Sequence, residues 1–326
     1  MPTHLSWPLR RAALIAFAAI AALFWIATAP IAARASVPVD LRVVDSSGEI
    51  LADHTQYTDT VGLKTDTKAT CFGQGTGGSG DRVKVPGSTA LGAVVDGIAG
   101  DVDLKPVSVT DAFDFGLGVC GIGDAVAPDT GFWYLKQDGV ATLTGGDQTK
   151  VKRGDAITWY LDPDFADAPP AELEIDAPQR APVATPFEVR VFEHADDGTR
   201  TPAAGVEVTG ASQPTDATGT TSVELTTGKA GLQAIRDGAI SDAVGICVAK
   251  PVGDCPKEAG GIIGGSSTDD EITGSKGPDG IDGAGGDDRI DAEDGEADDV
   301  NCGGGKDKVI ADREDETAKN CEKVRD

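Results

Sequence analysis

Five times between residues 270 and 309 an aspartate is followed, two residues later, by isoleucine or valine. The set is Asp270-Glu271-Ile272, Asp279-Gly280-Ile281, Asp288-Arg289-Ile290, Asp298-Asp299-Val300 and Asp307-Lys308-Val309, with steps of 9, 9, 10 and 9 residues between the aspartates. Gly277, Gly286 and Gly305 stand two residues before their aspartates, whereas Thr268 and Glu296 break that rule. A fixed period near nine with glycine ahead of the aspartate predicts stacked turns of a parallel β-roll. The apolar residue would point into its narrow core. The 10-residue step implies a bulge or a break in register.

Residues 264–326 carry 20 acidic and 8 basic side chains. Packed without a counterion, such carboxylates repel. Calcium takes six to eight oxygen ligands from carboxylates and carbonyls, and glycine lets a turn adopt positive φ and aim its carbonyls inward. Asp279 and Asp288 are the foremost expected ligands, followed by Asp307, then Asp270 and Asp298, in turns shaped by Gly277, Gly286 and Gly305. Folding and binding should then be coupled. The competing expectation is a disordered acidic tail, which low hydrophobicity and high charge favour. The recurring apolar residue and the pair Cys302 and Cys321 argue for order. The segment resembles RTX (haemolysin-type) calcium-binding repeats, and "DDVNCGGGKDKVIADREDETAKNCEKV" is similar to a disulfide-closed variant in actinobacterial secreted proteins.

Export is expected from the other end of the chain. Arg10 and Arg11 precede an apolar run, Ala12 to about Ala29, then Pro30 and the small-residue site Ala33-Arg34-Ala35. This is the plan of a secretory signal peptide over residues 1–35; the alternative is an uncleaved anchor. No later run is long enough to span a bilayer. The six cysteines include no C-x-x-C pair and allow 15 connectivities. They fall two by two into segments of different composition, which favours Cys71–Cys120, Cys247–Cys255 and Cys302–Cys321. The net charge of −26 argues against nucleic acid as a partner.

Between the two ends the expectation is a mainly β, multidomain chain: an α+β unit of β-grasp type at 36–166, an Ig-like β-sandwich at 167–250, a linker at 251–263 and the short parallel β-roll at 264–326. In the first unit "VDLRVVDSS", "GFWYLKQDGVA" and "VKRGDAITWYL" read as strands. "GSTALGAVVDGIAG" reads as a short helix with Ser88 as N-cap, an apolar face of Leu91, Val94, Val95 and Ile98, and Gly100 at its end. After the linker "DPDFADAPPAE", short strands with Gly and Asp turns indicate a sandwich, similar to bacterial Ig-like and prealbumin-like modules, whose usual role is spacing or binding.

Gly131, Trp133, Tyr134, Gly154, Asp155, Trp159 and Tyr160 carry a resemblance of the first unit to the C-terminal domain of transcobalamin-like proteins. That resemblance implies that Trp133, Tyr134, Trp159 and Tyr160 could line a ligand face for a small molecule, a corrinoid being one candidate; the alternative is that they are core and edge aromatics. The large helical domain of that family's vertebrate members has no counterpart here. His54 and His194 are the only histidines after residue 35, and no G-x-S-x-G, H-E-x-x-H or phosphate-binding loop is present. The chain is therefore read as a secreted non-enzymatic binding protein, with a small-molecule carrier as the alternative and a hydrolase behind both. Its expected partners are calcium ions and either another extracellular protein or a small molecule. Retention at the cell surface is left open.

Overall fold

The computed structural model describes residues 36–95, 97–99, 102–165, 170–226 and 228–325. The expected signal segment, 1–35, lies outside them. The described residues are almost all β, and none of their helices is long and apolar enough to cross a membrane.

Alternation builds the first sheet. In the strand Pro38–Val44, Val39, Leu41 and Val43 are buried in one core, while Arg42 and Val44 point to the opposite face. This strand pairs antiparallel with Ile50–Tyr57 and parallel with Ala156–Asp162, which pairs in turn with Phe132–Gln137. The disulfide Cys71–Cys120 joins a turn to the strand Gly118–Ile122 over the same core.

The expected helix is not formed. Only a 3₁₀ turn, Leu91–Ala93, appears, preceded by Ala90 rather than capped by Ser88. Gly92 and Gly97 and the β-branched Val94 and Val95 are poor helix formers. Gly92 lies so close to the Gly87 carbonyl that a Cβ would stand 2.4 Å from it. Leu91, Val94 and Val95 are buried as expected, but Ile98–Ala99 begins a strand, and Gly100 lies outside the described residues. Among its described residues the first unit thus holds strands and one 3₁₀ turn, with no α-helix.

The second unit is two facing sheets. One holds Ala171–Asp176, Phe187–His194, Arg200–Pro202, Thr220–Val223 and Ala239–Ile240; the other holds Arg180–Pro182, Glu207–Val208, Gly228–Ile235 and Asp242–Ala249. Leu173, Val189, Val191 and Val223 from the first meet Leu232, Ala234, Ile246 and Val248 from the second. Ala171 and Glu172, expected in the linker, open a strand. Cys247–Cys255 closes the exit of this unit.

Between the units lies a partly ionic seam. Arg42 reaches Asp242 at 2.5 Å, Asp53 at 3.5 Å and Glu172 at 3.8 Å. Lys136, fully buried, lies 3.1 Å from Asp196. Tyr160 packs here with Val44 and Ile240.

The third unit is a two-sheet parallel roll. Ile262–Gly264, Gly280–Asp282, Asp299–Asn301 and Glu316–Thr317 form one wall; Glu271–Thr273, Arg289–Asp291, Lys308–Ile310 and Lys323–Arg325 form the other. Ile263, Ile272, Ile281, Ile290, Val300 and Val309 fill its core, and Cys302–Cys321 ties the last coils. Its first strand begins at Ile262, inside the expected linker, and pairs parallel with the first unit's Ile50–Tyr57 through Thr55↔Ile263 and Gln56↔Gly264. Gln56 donates to the Gly265 carbonyl and Tyr57 to the Glu271 carbonyl, each at 2.9 Å.

Candidate metal centre

All five repeat aspartates are buried at the turns: Asp270 is 5%, Asp279 4%, Asp288 2%, Asp298 3% and Asp307 0% exposed. The roll separates them into two flanks. Asp270, Asp288 and Asp307 follow one another on one flank, Asp279 and Asp298 on the other, because alternate nine-residue steps cross the roll.

One oxygen of each later aspartate ties its coil to the coil before. The Asp270 N–H donates to Asp288 Oδ1 at 2.9 Å, and the Asp288 N–H to Asp307 Oδ1 at 2.9 Å. On the other flank the Gly261 N–H donates to Asp279 Oδ1 at 2.7 Å and the Asp279 N–H to Asp298 Oδ1 at 2.8 Å. Both ladders continue into residues outside the expected set. Glu322 accepts from the Asp307 N–H at 2.9 Å, and Asp315 from the Asp298 N–H at 3.0 Å. Glu322-Lys323-Val324 repeats the acid-x-apolar pattern with glutamate, a signal that a search for aspartate alone passes over.

The second oxygen divides the turns into two kinds. In Asp270 it accepts from the Ser266 N–H at 2.6 Å, and in Asp279 from the Ser275 N–H at 2.5 Å. The first oxygens gain serine hydroxyls too, from Ser36 to Asp270 and from Ser275 to Asp279. These two carboxylates are fully partnered. The Oδ2 atoms of Asp288, Asp298 and Asp307 are buried and have no hydrogen-bond partner. The cause is local. The residues four before Asp288 and Asp307 are Ala284 and Gly303, with φ of 61° and 78°. Their N–H groups donate instead to Asp282 Oδ1 at 3.0 Å and Asn301 Oδ1 at 3.2 Å. Before Asp298 stands Asp294, whose own Oδ2 is also buried without a partner.

Burial pushes the Asp288 carboxyl up to about 7, with the charges of Asp270 and Asp307 adding to the rise. Burial likewise raises Asp270 to about 6, and raises Asp298 to about 6 with help from Asp315, Asp294 and Asp279. Two unit charges one coil apart, about 4.8 Å, repel by roughly 3–4 kcal/mol at an effective dielectric near 20.

The three expected glycines work by close approach. A Cβ on Gly305 would lie 1.7 Å from the Gly286 carbonyl oxygen, and one on Gly286 2.4 Å from the Thr268 backbone; both have positive φ, 151° and 121°. Gly277 does not adopt the expected positive φ. It is glycine because a Cβ would meet the Glu258 carbonyl oxygen at 2.4 Å. Among the described residues, no three His, Cys, Asp or Glu side chains converge into a ready metal cage.

The four aromatics of the first unit do not share a face. Trp133 and Trp159 are buried in its core, while Tyr134 and Tyr160, cross-strand partners with ring centroids 5.0 Å apart, lie on the opposite side against the second unit. Successive strand residues point to opposite faces, so adjacent aromatics are parted. Compared with protein-family models, with curated proteins and with solved structures, the chain matches none.

Proposed function

We propose that this is a secreted, non-enzymatic binding protein whose C-terminal roll takes calcium at its open turns. The observation that carries the reading is the pair of unpartnered, buried Oδ2 atoms of Asp288 and Asp307, in register on consecutive coils of one flank. A buried carboxylate oxygen without a donor is costly, and a cation relieves both its desolvation and the repulsion between coils. Donor chemistry points to a hard ion: the turns offer carboxylates and backbone carbonyls, and the cysteines of the roll are spent in a disulfide. The resemblance to RTX repeats supports the same ion. On this reading Asp288 and Asp307 would hold calcium on one flank and Asp298 with Asp294 on the other, while Ser266 and Ser275 do the equivalent work for Asp270 and Asp279. Calcium would supply charge neutralisation there. Three disulfides suit an oxidising compartment outside the cell, where calcium is plentiful.

The test is a calorimetric calcium titration of the full chain, beside its Asp288→Asn and Asp307→Asn variants. Saturable binding in the millimolar range or below, weakened at least tenfold in each variant, is the expected result. Absence of saturable heat in a folded chain overturns the reading.

A further inference from the structure

The chain enters its first strand beside the first coil of the roll. The Val37 N–H donates to the Thr58 hydroxyl at 3.0 Å, and the Val37 carbonyl accepts the Thr58 N–H at 3.1 Å. The next residue, Asp59, is 2% exposed and accepts from both the N–H and the hydroxyl of Ser267, in the turn that leads to Asp270. These contacts hold Ser36 against that turn, and the Ser36 hydroxyl donates to Asp270 Oδ1, 234 residues away in sequence.

The turn is rich in charge of one sign. Asp59 and Asp269 both act on the buried Asp270 carboxylate. Ser36 and Ser266 supply hydrogen bonds to it, but among the described residues no basic side chain forms an ion pair with it. Arg153 is turned to the Tyr57 hydroxyl instead. Like charges so placed repel, and hydroxyl or amide donors leave the net charge in place. A carboxylate has about four lone-pair sites, so Asp270 keeps room for a further donor.

Ser36 is also the residue that the expected leader cleavage after Ala35 would make the first of the chain. In that step a leader peptidase hydrolyses the Ala35–Ser36 amide. The hydroxyl of water joins the Ala35 carbonyl carbon, the C–N bond breaks, and the nitrogen takes the remaining hydrogen as an amine. An α-amine has a pKa of about 7.7–8.0, so at neutral pH it accepts the proton of the new carboxyl group and becomes an ammonium. That charge arises on the residue whose hydroxyl already meets Asp270, within side-chain reach of the carboxylate. While the nitrogen is an amide it carries none.

We propose that the α-ammonium group of Ser36, freed when residues 1–35 are removed, seats on the Asp270 carboxylate and serves the first coil of the roll as a built-in cation. The proposal rests on export of the chain and not on calcium. It makes leader removal and the firm docking of the roll on the first unit one event, because the acidic turn gains its counter-ion only in the processed chain.

N-terminal sequencing of the exported protein should read Ser36 first; any other first residue overturns the proposal and leaves the calcium reading untouched. The exported chain is then compared with its N-acetylated form, each with Asp270 and with Asp270→Asn, by urea unfolding in the presence of a chelator. Acetylation should lower the folding equilibrium constant of the parent about tenfold, the scale of one hydrogen bond to a charged group, and that of Asp270→Asn by no more than about twofold. A chain that keeps Ala35, and so moves the amine one residue away, should lose as much as the acetylated one; this decides if Asp270→Asn does not fold. The proposal is overturned if acetylation costs the parent nothing, if it costs folded Asp270→Asn as much, or if the chain that keeps Ala35 is as stable as the parent.

Discussion

The backbone N–H of Asp288 donates to the side chain of Asp307, 19 residues later and one coil away, at 2.9 Å. Asp307 is therefore a structural acceptor with Oδ1, while its Oδ2 is buried without a partner. The two roles can be separated by substitution.

Asp307→Asn keeps an acceptor for the Asp288 N–H and removes the charge. It should hold or raise metal-free stability at neutral pH, since the hydrogen bond stays while a buried charge and its repulsion across the coils go. Asp307→Ala strands that N–H and should cost about 1–3 kcal/mol. Urea midpoints in the presence of a chelator measure both; equal losses for the two variants would refute the division of labour.

Acidity should strengthen the metal-free roll. Burial holds Asp288 at about 7 and Asp270 and Asp298 at about 6, against about 3.9 in an unfolded chain. The folded chain therefore binds more protons than the unfolded one between these values. The stabilisation is complete below the unfolded value and is lost as pH rises through about 6–7. With a chelator present, the urea midpoint should be higher at pH 5 than at pH 8, and calcium should restore stability at pH 8. A metal-free midpoint that climbs with pH across this window would contradict the burial of these carboxyls.

Two neighbouring glycines should respond oppositely to alanine. Gly305 has positive φ and would drive its Cβ onto the Gly286 carbonyl oxygen, whereas a Cβ on Gly304 would meet nothing within 4 Å. Gly305→Ala should cost upward of about 3 kcal/mol through steric overlap and backbone strain, and Gly304→Ala should stay within about 0.5 kcal/mol. Thermal unfolding of the two variants side by side distinguishes them.

The seam between the first two units should be equally sensitive. Asp242 holds Arg42 at 2.5 Å and accepts the Ile175 N–H at 2.5 Å. Asp242→Ala removes both contacts and leaves a largely buried guanidinium, at a cost of about 3–5 kcal/mol. Differential scanning calorimetry should show the first two units melting in one transition in the parent and in two, or at much lower temperature, in the variant.

The sequence displayed the roll because stacking imposes a strict period: an inward Ile or Val and a turn acid must recur at each half coil. Where the chemistry changed but the geometry did not, the pattern faded. Glu322 substitutes for aspartate, Asp315 arrives early, and Ser266 and Ser275 satisfy their aspartates from four residues back. The two aromatic strands were legible, but not the fate of their faces: Tyr160 is covered by Ile240, from a unit 80 residues further along. The missing helix has a tertiary cause as well as a local one, since Gly92 is pressed against the Gly87 carbonyl.

Pairing of Thr55 with Ile263 makes the roll a guard for the edge of the first sheet. Without it, Thr55 and Gln56 on the outer edge of the strand Ile50–Tyr57 would present unpaired backbone groups to another chain. Until residue 262 is synthesised that edge has no partner within its own polypeptide, so the N-terminal sheet is made long before it is protected. Any cut that releases the acidic repeats would leave that edge open to another chain.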